Sequence, residues 1–196
     1  MSNQYIQRVL TRQFLGTSSL GDLLSSQLDA TAYNNPGSKI FVQDVSGNMT
    51  SFVYANTGSI TALAIGVPVY WSNVARTTVT DTVASAITYA ASADSAIYSA
   101  AGVCISTGIT TAIPYAWYTT GGYLAGVPTP SSAKVGDLLV LSNAANTAPS
   151  NDVWSRVAVG SAAPTAESVT TLYCVVTTPV TTASANVLVM GTVGLP

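Results

Sequence analysis

From Lys39 onward the chain is a succession of short apolar stretches, each about the length of one strand and each bounded by Gly, Pro, Asn, Asp or Ser. The stretches read KIFVQDV, MTSFVYA, ALAIGVPVYW, ARTTVTDTV, SAITYAA, SAIYSA, GVCIS, PYAWYTT, DLLVLS, WSRVAVG, TTLYCVVT and ANVLVMG. Threonine and valine dominate them, and their branched Cβ atoms suit a pleated surface better than a helix. No helix-period segment interrupts the series, and such close spacing leaves no room for helical crossovers. The expected fold class is therefore all-β, a sandwich or barrel of about ten short strands. KIFVQDV and MTSFVYA, separated by SGN, form a hairpin signal in which Gly47 can take positive φ. Gly121-Gly122 inside YTTGGYL reads as a second hairpin turn.

The first 38 residues follow a different pattern, so residues 1-38 are expected to form an N-terminal arm and linker and 39-196 the β domain. Tyr5, Ile6, Val9, Leu10 and Phe14 recur at helical spacing, with Arg8 and Arg12 one turn apart on the polar side. Gly16 ends that helix, and Ser19 caps a second turn carrying Leu20, Leu23, Leu24 and Leu28. Helices of about three turns are marginal alone, so their apolar stripes must dock. The site is either the chain's own β domain or a neighbouring subunit or lattice. Arg8 and Arg12 form a solvated face or meet an acidic partner surface.

Composition narrows the chemistry. The 196 residues include no histidine, 14 charged side chains (6 Lys and Arg, 8 Asp and Glu) and a formal net charge of -2. A serine or cysteine nucleophile ordinarily needs a histidine base, and no lysine here sits in a serine-lysine motif. Glu167 is the only glutamate, and the aspartates form no calcium-loop cluster. Asp94 and Asp137 read as turn residues. Cys104 and Cys174 lie in apolar strand-like runs, and two thiols fall short of a zinc shell. They are expected as buried reduced hydrophobes, with a disulfide as the alternative. Neither enzyme activity, nor a cofactor, nor a metal is expected.

No basic field favours nucleic acid, and no apolar run is long enough for a membrane helix. No export signal is expected at the start, so synthesis in a cytoplasm is the expectation. With charged residues at 7% against a usual ~25%, much of the surface is expected to be covered by partners. Tyr70, Trp71, Trp117, Tyr118, Tyr123 and Trp154 are the candidate aromatic interface; in strands such residues serve as core or interface anchors, or as a sugar platform.

Three fragments recur in the same order in the two halves of the β region. GVPVYWSN resembles GDLLVLSN, AGVCIS resembles VAVGSA, and YAWYTT resembles YCVVTT. These matches predict an internal duplication, with 66-120 and 136-178 tracing similar motifs.

The strands GDLLVLSN, RVAVGSAA and LYCVVTT, with GVPVYWSN, AAGVCIST and AWYTTGGY, resemble the pattern of tailed-bacteriophage capsid decoration, or cement, proteins. The resemblance covers about residues 60 to 190. It implies a structural virion protein bound to the outside of an assembled icosahedral shell, made in a host cytoplasm, and joined to copies of itself, often as a homotrimer at a symmetry axis. Its partners would be those copies and the major capsid protein lattice. A receptor- or glycan-binding fibre-tip module, and a main shell or tail-tube subunit, are the competing expectations.

Overall fold

The computed structural model describes residues 27–43, 49–58, 60, 63–81, 86, 88–92, 95–141, 154–157 and 173–190. Within these residues the protein is all-β and contains no helix. The helical spacing at residues 1–26 lies outside the described residues.

The strands are β1 (Lys39–Gln43), β2 (Met49–Asn56), β3 (Pro68–Trp71), β4 (Val79–Thr80), β5 (Thr88–Ser92), β6 (Ser95–Tyr98), β7 (Ala100–Cys104), β8 (Tyr115–Pro128), β9 (Leu138–Leu141), β10 (Trp154–Val157), β11 (Tyr173–Val176) and β12 (Ser184–Met190). Every apolar stretch singled out in the sequence carries one of them. Ten strands join in one antiparallel sheet, ordered β10-β9-β11-β12-β8-β7-β3-β4, with β2 added to β8 and β1 to β2; β5 and β6 form a separate hairpin. The β1–β2 hairpin runs Lys39 opposite Val53 through Gln43 opposite Met49. The sheet curls until Thr78, just before β4, bridges Asn56 at the end of β2.

Gly121-Gly122 is not a hairpin turn, and β8 runs through it unbroken. The chain changes partners there instead. Its first half pairs with β2 and β7, and its second half with β12. Gly122 has φ +112°, and a Cβ would lie 2.6 Å from Thr50 Oγ1. A glycine is needed to pass Thr50 in that backbone conformation, which is why the sequence there looks like a turn.

The register shows a repeated unit. In unit 1, β3 pairs with the following β4 on one side and with β7 on the other, β7 pairs with β8, and β8 pairs with β2. In unit 2, β9 pairs with the following β10 and with β11, β11 pairs with β12, and β12 pairs with the second half of β8. The correspondence holds at matching pairs between the β-bulges, which fall at different places in the two units. Tyr70 opposite Thr80 matches Val140 opposite Ser155, Pro68 opposite Val103 matches Leu138 opposite Val175, and Cys104 opposite Tyr118 matches Val176 opposite Val187. The hydrogen bonds repeat too. Gly66 N donates to Cys104 O at 2.8 Å and Cys104 N to Val67 O at 2.8 Å; Gly136 N donates to Val176 O at 2.8 Å and Val176 N to Asp137 O at 3.0 Å. Thr57 N to Pro114 O, 2.6 Å, matches Thr129 N to Ala183 O, 2.9 Å. β8 is thus the last strand of unit 1 and the first of unit 2.

This corrects the sequence alignment of the two halves. GVPVYWSN and GDLLVLSN do open equivalent motifs, and Gly66 and Gly136 share positive φ, +84° and +90°. But β7 matches β11 and not VAVGSA, and YAWYTT in β8 matches β12 and not YCVVTT. The later fragments echoed one another because the composition is rich in Ala, Val, Tyr and Thr, and a shared composition carries no register. The repeat also begins earlier than Gly66, at β2, because its first strand is paired with its last.

Each unit has its own core. Val53, Ala55, Val67, Val69, Trp71, Val79, Cys104, Ala116 and Tyr118 fill unit 1. Val127, Leu139, Trp154, Cys174, Val176, Ala185, Val187 and Val189 fill unit 2, and they also pack on Tyr70, Ala100 and Val103, the outward residues of β3 and β7. Unit 2 therefore sits against the back of unit 1. The Trp154 indole fixes the contact, donating from Nε1 to the Gly66 carbonyl at 2.9 Å.

Candidate interaction surface

Most of the candidate aromatics are interior. Trp71 and Tyr118 lie in the core of unit 1, Trp154 in that of unit 2, and Tyr70 between the units. Trp117, 1% exposed, packs with Phe52, Tyr54 and Ile105 on the outward face of β2 and β8. The proposed aromatic interface is therefore reduced to Tyr123, which is 54% exposed. The correction has a physical cause. Strands covered on both faces bury both sets of alternating side chains, as the run of four buried residues Phe52 to Ala55 shows.

The second cover of that face comes from the stretch expected to be linker. Asp29 exchanges backbone hydrogen bonds with Tyr115 at 3.0 and 3.1 Å, and Gly37 N and Ser38 O bond the backbone of Tyr54 at 2.7 and 3.0 Å. The Tyr54 hydroxyl donates to Asp29 Oδ2 at 2.7 Å and accepts from Tyr33 N at 3.2 Å. Tyr54 also stacks with Tyr115, ring centroids 6.0 Å apart. Residues 27–38 are thus strapped across β2 and β8 of the same chain. Leu28, alone of the candidate arm residues, lies among the described ones, and it packs against the core of unit 1. Tyr5, Ile6, Arg8, Val9, Leu10, Arg12, Phe14, Leu20, Leu23 and Leu24 lie outside the described residues.

The equivalent outward face of unit 2 is exposed along β8 and β12, whereas Val140 on β9, the counterpart of Tyr70, is 1% exposed. Tyr123 on β8 pairs with Leu188 on β12, Leu188 with Val175 on β11, and Val175 with Leu138 on β9. These residues form one row across four strands, since paired residues share a face. Leu188 is 41% and Met190 51% exposed; Val175 and Leu138 are half-buried. No Lys, Arg, Asp or Glu occurs in Tyr123–Pro128, Leu138–Leu141, Tyr173–Val176 or Ser184–Met190. Sequence reasoning singled out only Tyr123 here. Leu188 and Met190 were hidden in ANVLVMG, whose inward and outward positions are both apolar.

Asp137 and Asn73 each hold a loop in place. Asp137 is more than a turn residue. It is 2% exposed, and its Oδ2 accepts from Lys134 N at 2.8 Å and from Arg156 Nε. Its place in unit 1 is taken by Val67. Asn73 organises the β3–β4 loop, its Oδ1 accepting from Thr77 N and Thr78 N at 2.9 and 3.2 Å. Both cysteines are free and buried, one in the core of each unit. Burial raises the Cys104 thiol to about 12 and also pushes Cys174 up, so both stay protonated and are poor nucleophiles. Burial likewise raises the Tyr118 hydroxyl, with Cys104 and Asp81 adding to it.

Among the described residues no helix is long and apolar enough to cross a membrane. No family model matches the chain, and neither a curated protein nor a solved structure is similar to it.

Proposed function

We propose that this is a structural virion protein, an oligomer that binds the outer surface of an assembled bacteriophage capsid and braces it. The observation that carries the reading is the exposed part of the outward face of unit 2, the uncharged row that runs from Tyr123 through Leu188 and Val175 to Leu138, in a chain whose corresponding face in unit 1 is covered. Such a face fits a role in which surface is buried against other subunits. The resemblance of GDLLVLSN, RVAVGSAA, LYCVVTT, GVPVYWSN, AAGVCIST and AWYTTGGY to capsid decoration proteins selects the shell as the larger partner. Modest contacts multiplied over many copies are sufficient to stabilise a shell. The protein acts by binding, without catalysis, cofactor or nucleic acid.

The burial of Trp71, Trp117 and Trp154 supports this reading over a glycan-binding tip, which needs exposed ring faces. The test is imaging of assembled particles produced with and without the protein. The expected result is regularly spaced density on the outer surface only when the protein is present, together with DNA release at lower temperature when it is missing. Particles of identical surface and heat resistance would overturn the proposal, and closed shells or tubes formed by the purified protein alone would favour a main shell or tail-tube subunit.

A further inference from the structure

Phe52 and Tyr123 are the same residue in two copies of one strand pairing: Phe52 lies opposite Thr119, and Tyr123 opposite Leu188, which is the counterpart of Thr119. Phe52 is 3% and Thr119 1% exposed, whereas Tyr123 is 54% and Leu188 41% exposed. The next positions behave alike. Val103 is 0% exposed and Pro68 is buried, against half-buried Val175 and Leu138. Within unit 1 this face is covered twice by the chain itself, by residues 27–40 over β2 and β8 and by unit 2 over β3 and β7. At the equivalent positions of unit 2 Leu188 replaces Thr119 and Leu138 replaces Pro68, while Ala125-Gly126 and Asn186 stand where unit 1 has Tyr54 and Trp117, and among the described residues no segment lies over Tyr123 and Leu188 as residues 27–40 lie over Phe52.

We infer that the outward face of unit 2, centred on Tyr123, Leu188 and Met190, is a self-association surface whose occupant is a second copy of this chain. The charge pattern selects that occupant. The four strands carry no charged side chain, so the face offers nothing to an acidic or basic partner. The chain itself, with 7% charged residues and a net charge of -2, is a partner that brings little charge to bury and little long-range repulsion to overcome. Size sets the strength. Four strands at about 4.8 Å spacing, two of them about 20 Å long and the four-residue β9 and β11 about 13 Å, give roughly 300 Å², well under half of the ~800 Å² that each partner gives to a standard interface. Association through this face alone is therefore concentration-dependent, not permanent. The inference rests on the oligomer part of the proposed function and is independent of the capsid.

The test is sedimentation velocity of the purified full chain over a wide concentration range, for wild type, Leu188→Lys, Tyr123→Ser and a control, Val74→Lys, whose side chain is 89% exposed on the β3–β4 loop. Near-ultraviolet circular dichroism reports whether the buried tryptophans keep their environment. The expected result is self-association in wild type and Val74→Lys, with the dissociation constant raised at least tenfold in Leu188→Lys and in Tyr123→Ser at unchanged dichroism. Leu188→Lys puts an unpaired charge into an apolar contact; Tyr123→Ser removes apolar area without adding charge and decides the matter should the lysine variant not fold. Self-association undiminished in folded variants would overturn the face and leave the oligomer standing. A wild type monomeric at every concentration would overturn both, and capsid binding by that monomer would show that the shell reading survives without them.

Discussion

Unit 1 and unit 2 share strand order, pairing register between the β-bulges and the backbone hydrogen bonds around Gly66 and Gly136, yet they treat equivalent positions differently. Val79 in the core of unit 1 has Trp154 as its counterpart, Val67 has Asp137, and covered Phe52 has exposed Tyr123. The comparison teaches that the backbone pairing tolerates large changes in side chain, provided that each change is compensated locally. Trp154 gains the acceptor that unit 1 offers at the Gly66 carbonyl. Asp137 gains Arg156. Tyr123 has its hydroxyl bonded by Asn186 Nδ2 and leaves its ring outward.

The largest expected difference between the units is at the Val79 and Trp154 pair. Trp154→Ala should cost about 3–5 kcal/mol, because it opens a cavity between the units and removes the bond to Gly66, while Val79→Ala should cost about 2 kcal/mol. Urea unfolding measures both; equal costs would mean that the indole does not join the units. Next comes the Val67 and Asp137 pair. Asp137→Val alone should cost about 2 kcal/mol, since it strands Lys134 N and unpairs Arg156, which is partly solvated. Asp137→Val combined with Arg156→Leu should recover the part of the cost that comes from the unpaired Arg156, leaving about 1 kcal/mol for the lost acceptor of Lys134 N, as unit 1 holds this position with valine. A double variant as unstable as the single one breaks the equivalence.

A smaller effect is expected where the cover of unit 1 is attached. Tyr54→Phe loses the bonds to Asp29 and Tyr33 N and should cost about 1–2 kcal/mol, with faster proteolysis inside residues 27–38. Unchanged cleavage would show that backbone bonding alone holds the strap. The smallest effect near neutrality concerns the two thiols. The folded Cys104 is raised from 9.0 to about 12, so its contribution is complete below about pH 9 and is lost as pH rises toward about 12. Thermal unfolding should be insensitive to this group up to pH 9 and then fall, and Cys104→Val should lessen the alkaline decline. A thiol reagent should label both cysteines only on unfolding; rapid labelling of the native protein contradicts their burial.

Much of the fold was legible because strand formation is local. Each apolar stretch from KIFVQ to SANVLVM became a strand, since β-branched density and bounding turn residues act over a few residues. The first-strand match at Gly66 and Gly136 was legible for the same reason, as both glycines take the positive φ of a turn before a strand. The rest of the repeat was not. Whether β8 is matched by β12 or by β11 depends on pairings between strands far apart in the chain, such as Ser51 with Gly121 and Gly122 with Val189, and no short fragment encodes them. The surface was the least legible part. Both faces of most strands are apolar, so alternation does not separate Trp117 or Tyr70, which are buried, from Leu188 and Met190, which are not.

The sequence by itself determined that this chain forms strands, and that it carries little charge and no histidine. These are properties of composition and of neighbours along the chain. Only the tertiary structure decided which apolar side chains remain uncovered. A strand's outward face is buried or open according to what the folded chain lays over it, and that depends on where residues 27–38 and unit 2 come to rest.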